Sequence, residues 1–295
     1  MSDFPLFAWL AALLLAPFLI GVINRVKALF AGRRGQPFLQ TYFDILKLLS
    51  KGAVYSRTTT WVFRLSPVVG TVTGMMALFF MPFGNLPPVL SFSGDWVALF
   101  YLLGLSRFLM ISAALDTGSA FEGMGASREA LFSALAEPAL FVGLAALVRA
   151  KGALSLGDLL DFDPSPTHAA ARVLVGIAFF CLLLSENSRI PVDDPNTHLE
   201  LTMIHEVMVL DHGGPDFGLI LYAASLKLWL FSTLVVHVLM PALQPLSFIG
   251  AVLLVAVAVG VVESTLARLR MNRVTQFIAG AGVLNVVALI LVLKG

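Results

Sequence analysis

The sequence predicts an all-α membrane protein, a polytopic helical bundle of about eight transmembrane helices with both termini on the outer side. Three observations carry this. Of the 295 residues, 58% are hydrophobic and only 13% charged, with a mean hydropathy of +0.91, whereas soluble globular domains carry about 25% charged residues. Apolar runs long enough to cross a bilayer, roughly 17 to 25 residues each, recur along the chain, which therefore reads as one integral membrane domain over residues 1–295. Basic residues crowd the loops after spans one, three, five and seven, with Arg149, Lys151 and Lys294 on the other side; the positive-inside rule makes the first set cytoplasmic.

The spans fall, in order, near residues 4–24, 60–82, 96–115, 127–149, 170–186, 217–240, 246–263 and 276–293. The first begins MSDFPLFAWLAALLLAPFLIG, which has no positive n-region and is followed by Arg25, Lys27, Arg33 and Arg34, so it reads as an uncleaved span, not a signal peptide. After it, GQPFLQTYFDILKLLSK places Phe38, Tyr42, Ile45, Leu46 and Leu49 at helical spacing, with Asp44, Lys47 and Lys51 elsewhere. That is an amphipathic interfacial helix, either a surface anchor or a platform for a partner. The net charge of +1 offers no nucleic-acid footprint. One cysteine, Cys181, sits in an apolar run, so this chain alone holds neither a disulfide nor an iron–sulfur cluster.

Charges within spans are costly and are functional candidates by default. Glu137 and Lys227 each lie about ten residues in from the cytoplasmic end of their spans, which is roughly 15 Å deep at 1.5 Å per residue. Pro138 leaves a backbone carbonyl free beside Glu137, and Ser133 and Glu129 precede it on nearly the same face. Burial and a nearby cation push a carboxyl group's proton affinity in opposite directions, which suits a group that loads and unloads. The plainer alternative is a static Glu137–Lys227 ion pair. Asp116, Glu122, Glu186 and Glu263 lie at cytoplasmic span ends, where each could be solvated or capping; for Glu263 that is the expectation. The glycines and serines of ALDTGSAFEGMGASREALFSALAEP predict an ordered, close-packed loop.

Residues 185–216, SENSRIPVDDPNTHLELTMIHEVMVLDHGGPD, concentrate seven of eighteen carboxylates and three of five histidines. Asp194-Pro195 predicts a helix start, running to about Leu210, with His198, Thr202, His205 and Glu206 on one side and Glu200 among apolar residues. Glu200 either closes a Thr197-x-x-Glu200 capping box or is a carboxylate turned into oil that needs a partner or a proton. His205-Glu206 lacks the second histidine of an H-E-x-x-H helix, so no metal site is expected.

The loop ENSRIPVDDPNTHLEL, with Arg189, Pro191, Asp193, Pro195 and Glu200 at these spacings, resembles the signature cytoplasmic loop of the eight-span membrane subunit of respiratory complex I. GRRGQPFLQTYFDILKLLSK and the Arg128-to-Glu137 spacing match the same family, so the resemblance covers nearly the whole chain. ALDTGSAFEGMGASREA and the ASLK ending at Lys227 are more similar to the counterpart subunit of formate hydrogenlyase and related energy-converting nickel–iron hydrogenases.

The resemblance implies a non-catalytic membrane anchor of an oxidoreductase complex. Its cytoplasmic loops would dock an iron–sulfur small subunit and a hydrogenase-like large subunit, and its buried carboxylates would couple redox chemistry to antiporter-like membrane subunits in the cytoplasmic (inner) membrane. Iron–sulfur clusters and a nickel–iron site would belong to those partners. Docking falls to Arg33, Arg34, Asp44, Arg189, Asp193 and Asp194, and the charged path to Glu122, Glu129, Glu137, Glu200 and Lys227. Position adds Arg128 to the first set and Asp116, Glu186 and Glu206 to the second. The acids and histidines of THLELTMIHEVMVLDHGGPD depart from the complex I pattern, so quinone binding is not carried over. Two alternatives stand beside the anchor: the quinone-site subunit of an NADH:quinone oxidoreductase, marked by a lipid-accessible cavity under this loop, and a stand-alone transporter or proton channel.

Overall fold

The computed structural model describes residues 4–161, 168–193 and 203–294. Among them eight helices are long and apolar enough to cross a membrane. They are α1 (Phe4–Phe30), α3 (Trp61–Phe79), α4 (Asp95–Asp116), α5 (Ala120–Lys151), α7 (Ala169–Glu186), α8 (Gly214–Leu239), α9 (Pro245–Thr265) and α10 (Met271–Lys294), with the short helices α2 (Gln40–Leu49) and α6 (Leu156–Leu160) between them. Every expected span is present, and the chain is a multi-pass membrane protein. Eight crossings put both ends of the chain on one side, called here the terminal face; the loops after α1, α4, α7 and α9 form the opposite loop face.

Lipid tails are as apolar as leucine, so helices in a bilayer are held by close packing and by hydrogen bonds that satisfy broken backbone. Pro17 interrupts α1. The hydroxyl of Tyr222 in α8 donates to the Leu13 carbonyl at 3.2 Å, and Tyr42 in α2 donates to Leu14. These bonds tie α8 and α2 to α1, and α2 buries Thr41 and Ile45 while leaving Phe43, Leu46 and Leu49 exposed. The interfacial helix is therefore apolar on two sides, one for the bundle and one outside it. Elsewhere in the bundle, Asn285 of α10 is fully buried and its amide donates to Ala139 of α5 at 2.7 Å, next to Pro138.

Two expectations change. The close-packed loop over residues 116–128 is only a turn at residues 117–119, because α5 already begins at Ala120 and its first turns are helical. The expected helix to Leu210 is not formed over its described end: residues 203–205 are non-helical and Glu206–Val209 is a 3-10 turn. Side chains take the backbone groups a helix would use. Asp193 accepts from the amides of Ile204 (2.9 Å) and His205 (3.3 Å), and Arg128 donates to the Met203 carbonyl at 2.7 Å. Gly125 admits this segment against α5, since a Cβ there would lie 2.4 Å from Val207.

Candidate proton-transfer site

Arg107 stands twelve residues into α4, well inside the membrane span, with 8% of its side chain exposed. Its guanidinium gathers three carboxylates. Nη1 binds Glu137 of α5, Nη2 binds Glu186 at the end of α7, and Nε lies 3.5 Å from Glu129 of α5. Lys227 of α8 completes the group, its Nζ 2.8 Å from the Glu186 oxygen that Arg107 also holds. Four helices thus converge on two cations and three carboxylates. With every group ionised the cluster carries one net negative charge, and uptake of a single proton makes it neutral.

The cluster opens in two directions. Arg107, Glu129, Lys227 and His205 line a cavity of ≈ 80 Å³, room for several waters at roughly 10–15 Å³ of such volume each. His205 comes from the loop face, where burial pushes its imidazole below the ordinary value against the opposing pull of Glu129. A neutral ring there can accept a proton. Laterally, Glu137 leaves 46% of its side chain exposed on the α5 surface, at mid-span, one turn from the exposed Phe141. Hydrocarbon is a poor neighbour for that carboxylate.

Of the expected charged path, Glu129, Glu137, Glu186 and Lys227 are brought together around Arg107. The direct Glu137–Lys227 pair is not formed: each takes another partner, because α7 packs between α5 and α8 and delivers Glu186 to Lys227. Arg107 was not singled out from the sequence, although an arginine in the middle of span three carries the same intramembrane signal as Lys227. Asp116 is diverted, accepting from the amide (2.6 Å) and hydroxyl (3.0 Å) of Thr60, the N-cap of α3. Glu122 is fully buried in a separate group, where it accepts from the Asp211 amide at 2.9 Å. Glu206 is half-buried as the first residue of the 3-10 turn. Glu200 and His198, with the expected helix start at Asp194-Pro195, lie outside the described residues.

The expected docking edge divides. Arg33 and Arg34 are exposed on the loop face, and Asp44 is half-buried with Gln40 at 2.8 Å. The others turn inward. Asp193 is 1% exposed and pairs with Arg268 at 2.9 Å besides its two amides. Arg189 lies 3.4 Å from Glu263, whose other oxygen is 2.8 Å from Lys27. Glu263 is therefore neither solvated nor a cap: its side chain is fully buried between two cations that join α1, α9 and the loop after α7. A carboxylate withdrawn from water needs such partners, and side chains so occupied tie the loop face together instead of presenting themselves to a partner. Arg128, spent on Met203, belongs with them. No group of three or more His, Cys, Asp or Glu among the described residues is arranged to hold a metal ion.

Comparison with known proteins agrees with this architecture. Residues 4–293 match the family model described as NADH dehydrogenase. The chain is 30% identical over 295 residues to formate hydrogenlyase subunit 4 of Escherichia coli K12, covering 95% of this chain and 94% of the relative. It is 29% identical to hydrogenase-4 component C of the same organism, over 87% of this chain and 84% of the relative. It is 26% identical to an NADH-quinone oxidoreductase subunit of Syntrophotalea carbinolica, over 64% of this chain and 60% of the relative. Its fold matches a chain of the membrane-bound sulfane sulfur reductase, an archaeal respiratory membrane complex, with a TM-score of 0.82, 20% identity and 98% coverage of both chains. The chain belongs to the NADH dehydrogenase family, among membrane subunits of complex I-like and hydrogenase complexes.

Proposed function

We propose that this chain is the membrane-anchor and proton-coupling subunit of a membrane-bound, hydrogenase-type respiratory complex of the cytoplasmic membrane. The observation that carries the reading is the Arg107 cluster, which joins a cavity under the loop face to a half-exposed carboxylate on the lateral face. A proton reaching His205 or Glu129 through the cavity reduces the negative charge around Arg107. The guanidinium then shifts its hold among Glu129, Glu186 and Glu137, because three carboxylates compete for two cations in a medium of low dielectric constant. Glu137 is the member placed to pass that change sideways, so its exposed face is assigned to an antiporter-like membrane subunit. Arg33 and Arg34 are assigned to the soluble arm, with its iron–sulfur small subunit and hydrogenase-like large subunit.

The cavity also bears on the quinone alternative. At ≈ 80 Å³ it is well below the roughly 300 Å³ at which ligand pockets begin, and its size suits water. Mild-detergent purification of the tagged chain tests the anchor reading. Iron-containing soluble partners are expected to come with it, and fewer of them with Arg33→Glu/Arg34→Glu. A chain that purifies alone refutes the anchor and favours a stand-alone transporter.

A further inference from the structure

A second polar pocket lies on the terminal face, about 15 Å along α8 from Lys227 at 1.5 Å per residue, and the Arg107 cluster does not use it. It is a cavity of ≈ 180 Å³ between the loop before α4, α6 and the last turn of α8, and its titratable lining residues are Asp158, Asp161 and His237. His237 is 3% exposed. Its Nδ1 lies 2.9 Å from the Thr233 carbonyl and its Nε2 3.3 Å from the Gly84 carbonyl. Gly84 is held at φ +62°, and a Cβ there would come 2.6 Å from the Leu243 carbonyl. Only glycine lets the loop pass so closely and offer that oxygen to the ring.

Both partners of His237 are acceptors. A neutral imidazole has one N–H, so its bare nitrogen faces an oxygen lone pair; the imidazolium donates to both. The other charged or titratable groups on the elements around the ring are few. Asp158 and Asp161 face the same cavity, and His168 and Arg172 sit at the start of α7. Asp95 is spent on the Leu156 amide at 2.6 Å and on Ser155. The described parts of α1, α3 and α9 bring none to this end. One turn inward, the Thr233 hydroxyl is buried without a protein partner and lines a cavity of ≈ 10 Å³, room for about one water. Beyond it comes the buried Trp229, and then Leu226 and Leu230, which line the central cavity.

We propose that this pocket is a proton-exchange site open to solvent on the terminal face, where His237 takes a proton from water and Asp158 and Asp161 supply the counter-charge. The step forms one N–H bond and leaves the hydronium donor as water. It requires nothing of the Arg107 cluster, so it stands or falls separately from the coupling function. The full chain, labelled with nitrogen-15 at histidine and held in lipid nanodiscs, is followed from pH 8 to pH 5. The His237 signals are identified by their loss in His237→Gln, or in the unmutated chain by through-space contact with Phe248, whose ring centroid is 5.0 Å away. The ring is expected to pass reversibly from neutral to imidazolium within that range. In Asp158→Asn/Asp161→Asn the midpoint is expected to fall by about one pH unit, the size of a nearby opposite charge. A ring that stays neutral to pH 5, or a midpoint that does not move in the double variant, overturns the proposal.

Discussion

Replacing Arg107 by leucine tests whether the five central charges act as one unit. The substitution removes the partner of Glu186, whose side chain is 7% exposed, and of Glu129, at 16%; Glu137, at 46%, has much less to lose. Removing one member of a buried ion pair costs about 3–5 kcal/mol. Lys227 remains 2.8 Å from Glu186, which places the expected loss at the lower end, about 3 kcal/mol. Neutralising the stranded carboxylate should recover part of it. Arg107→Leu/Glu186→Gln is expected to be more stable than the two single losses summed, by about 1–3 kcal/mol, within the range measured for residues sharing a network. Equilibrium unfolding of the detergent-solubilised chain, in a double-mutant cycle, reads both quantities. Losses that add to within about 0.5 kcal/mol would mean that Arg107 and Glu186 do not depend on each other, and the cluster would have no common charge to shift.

Three further outcomes follow from groups outside the cluster. His212 is stacked on Phe63 with ring centroids 3.8 Å apart, and burial lowers its pKa to about 4, against about 6.5 for a free histidine. The folded state therefore resists protonation, so the contribution of His212 to stability is constant above pH 6.5 and declines towards pH 4; about 2–3 kcal/mol should go between pH 7.5 and 4.5. His212→Phe should abolish that part of the pH dependence, and equal slopes for variant and parent would be contrary to the assignment. Asp116→Ala should cost about 1 kcal/mol through loss of its hydrogen bonds to Thr60, the N-cap of α3, with proton coupling intact; lost coupling in an assembled complex would return Asp116 to the charged path. Asp193→Asn should loosen the loop after α7 by about 1.5–3 kcal/mol, as expected for bonds to a charged group. Faster proteolysis near residues 203–210 would show it, and unchanged cleavage would count against the inward role.

The spans were legible because hydropathy reports on the solvent, and the solvent here is uniform along each helix. Depth was legible as well: Glu137 and Lys227 do belong to one layer. Their pairing was not, because depth gives height in the bilayer and leaves the facing partner to be set by how α4, α5, α7 and α8 pack. Arg107 was readable by the rule that marks any charge inside a span. The loop after α7 misled for a different cause. Its sequence has helical periodicity to Leu210, yet Asp193 and Arg128, ten or more residues away from the backbone groups they hold, compete for the amides and the carbonyl that a helix would need. Short-range patterns carry no record of such long-range bonds. The same bonds turned Asp193 and Arg128 from expected surface residues into internal ties.

Proton movement per redox turnover in sealed vesicles, measured on the assembled complex with Glu137→Gln, bears most directly on the coupling role. Glutamine keeps the shape of the side chain and can still hydrogen-bond Arg107, but it cannot bind or release a proton. The expected result is a complex that assembles and turns over while moving fewer protons per turnover. Unchanged proton movement would contradict the assignment of Glu137 as the lateral exit of the cluster, and loss of the whole complex would show instead that the pair with Arg107 serves assembly.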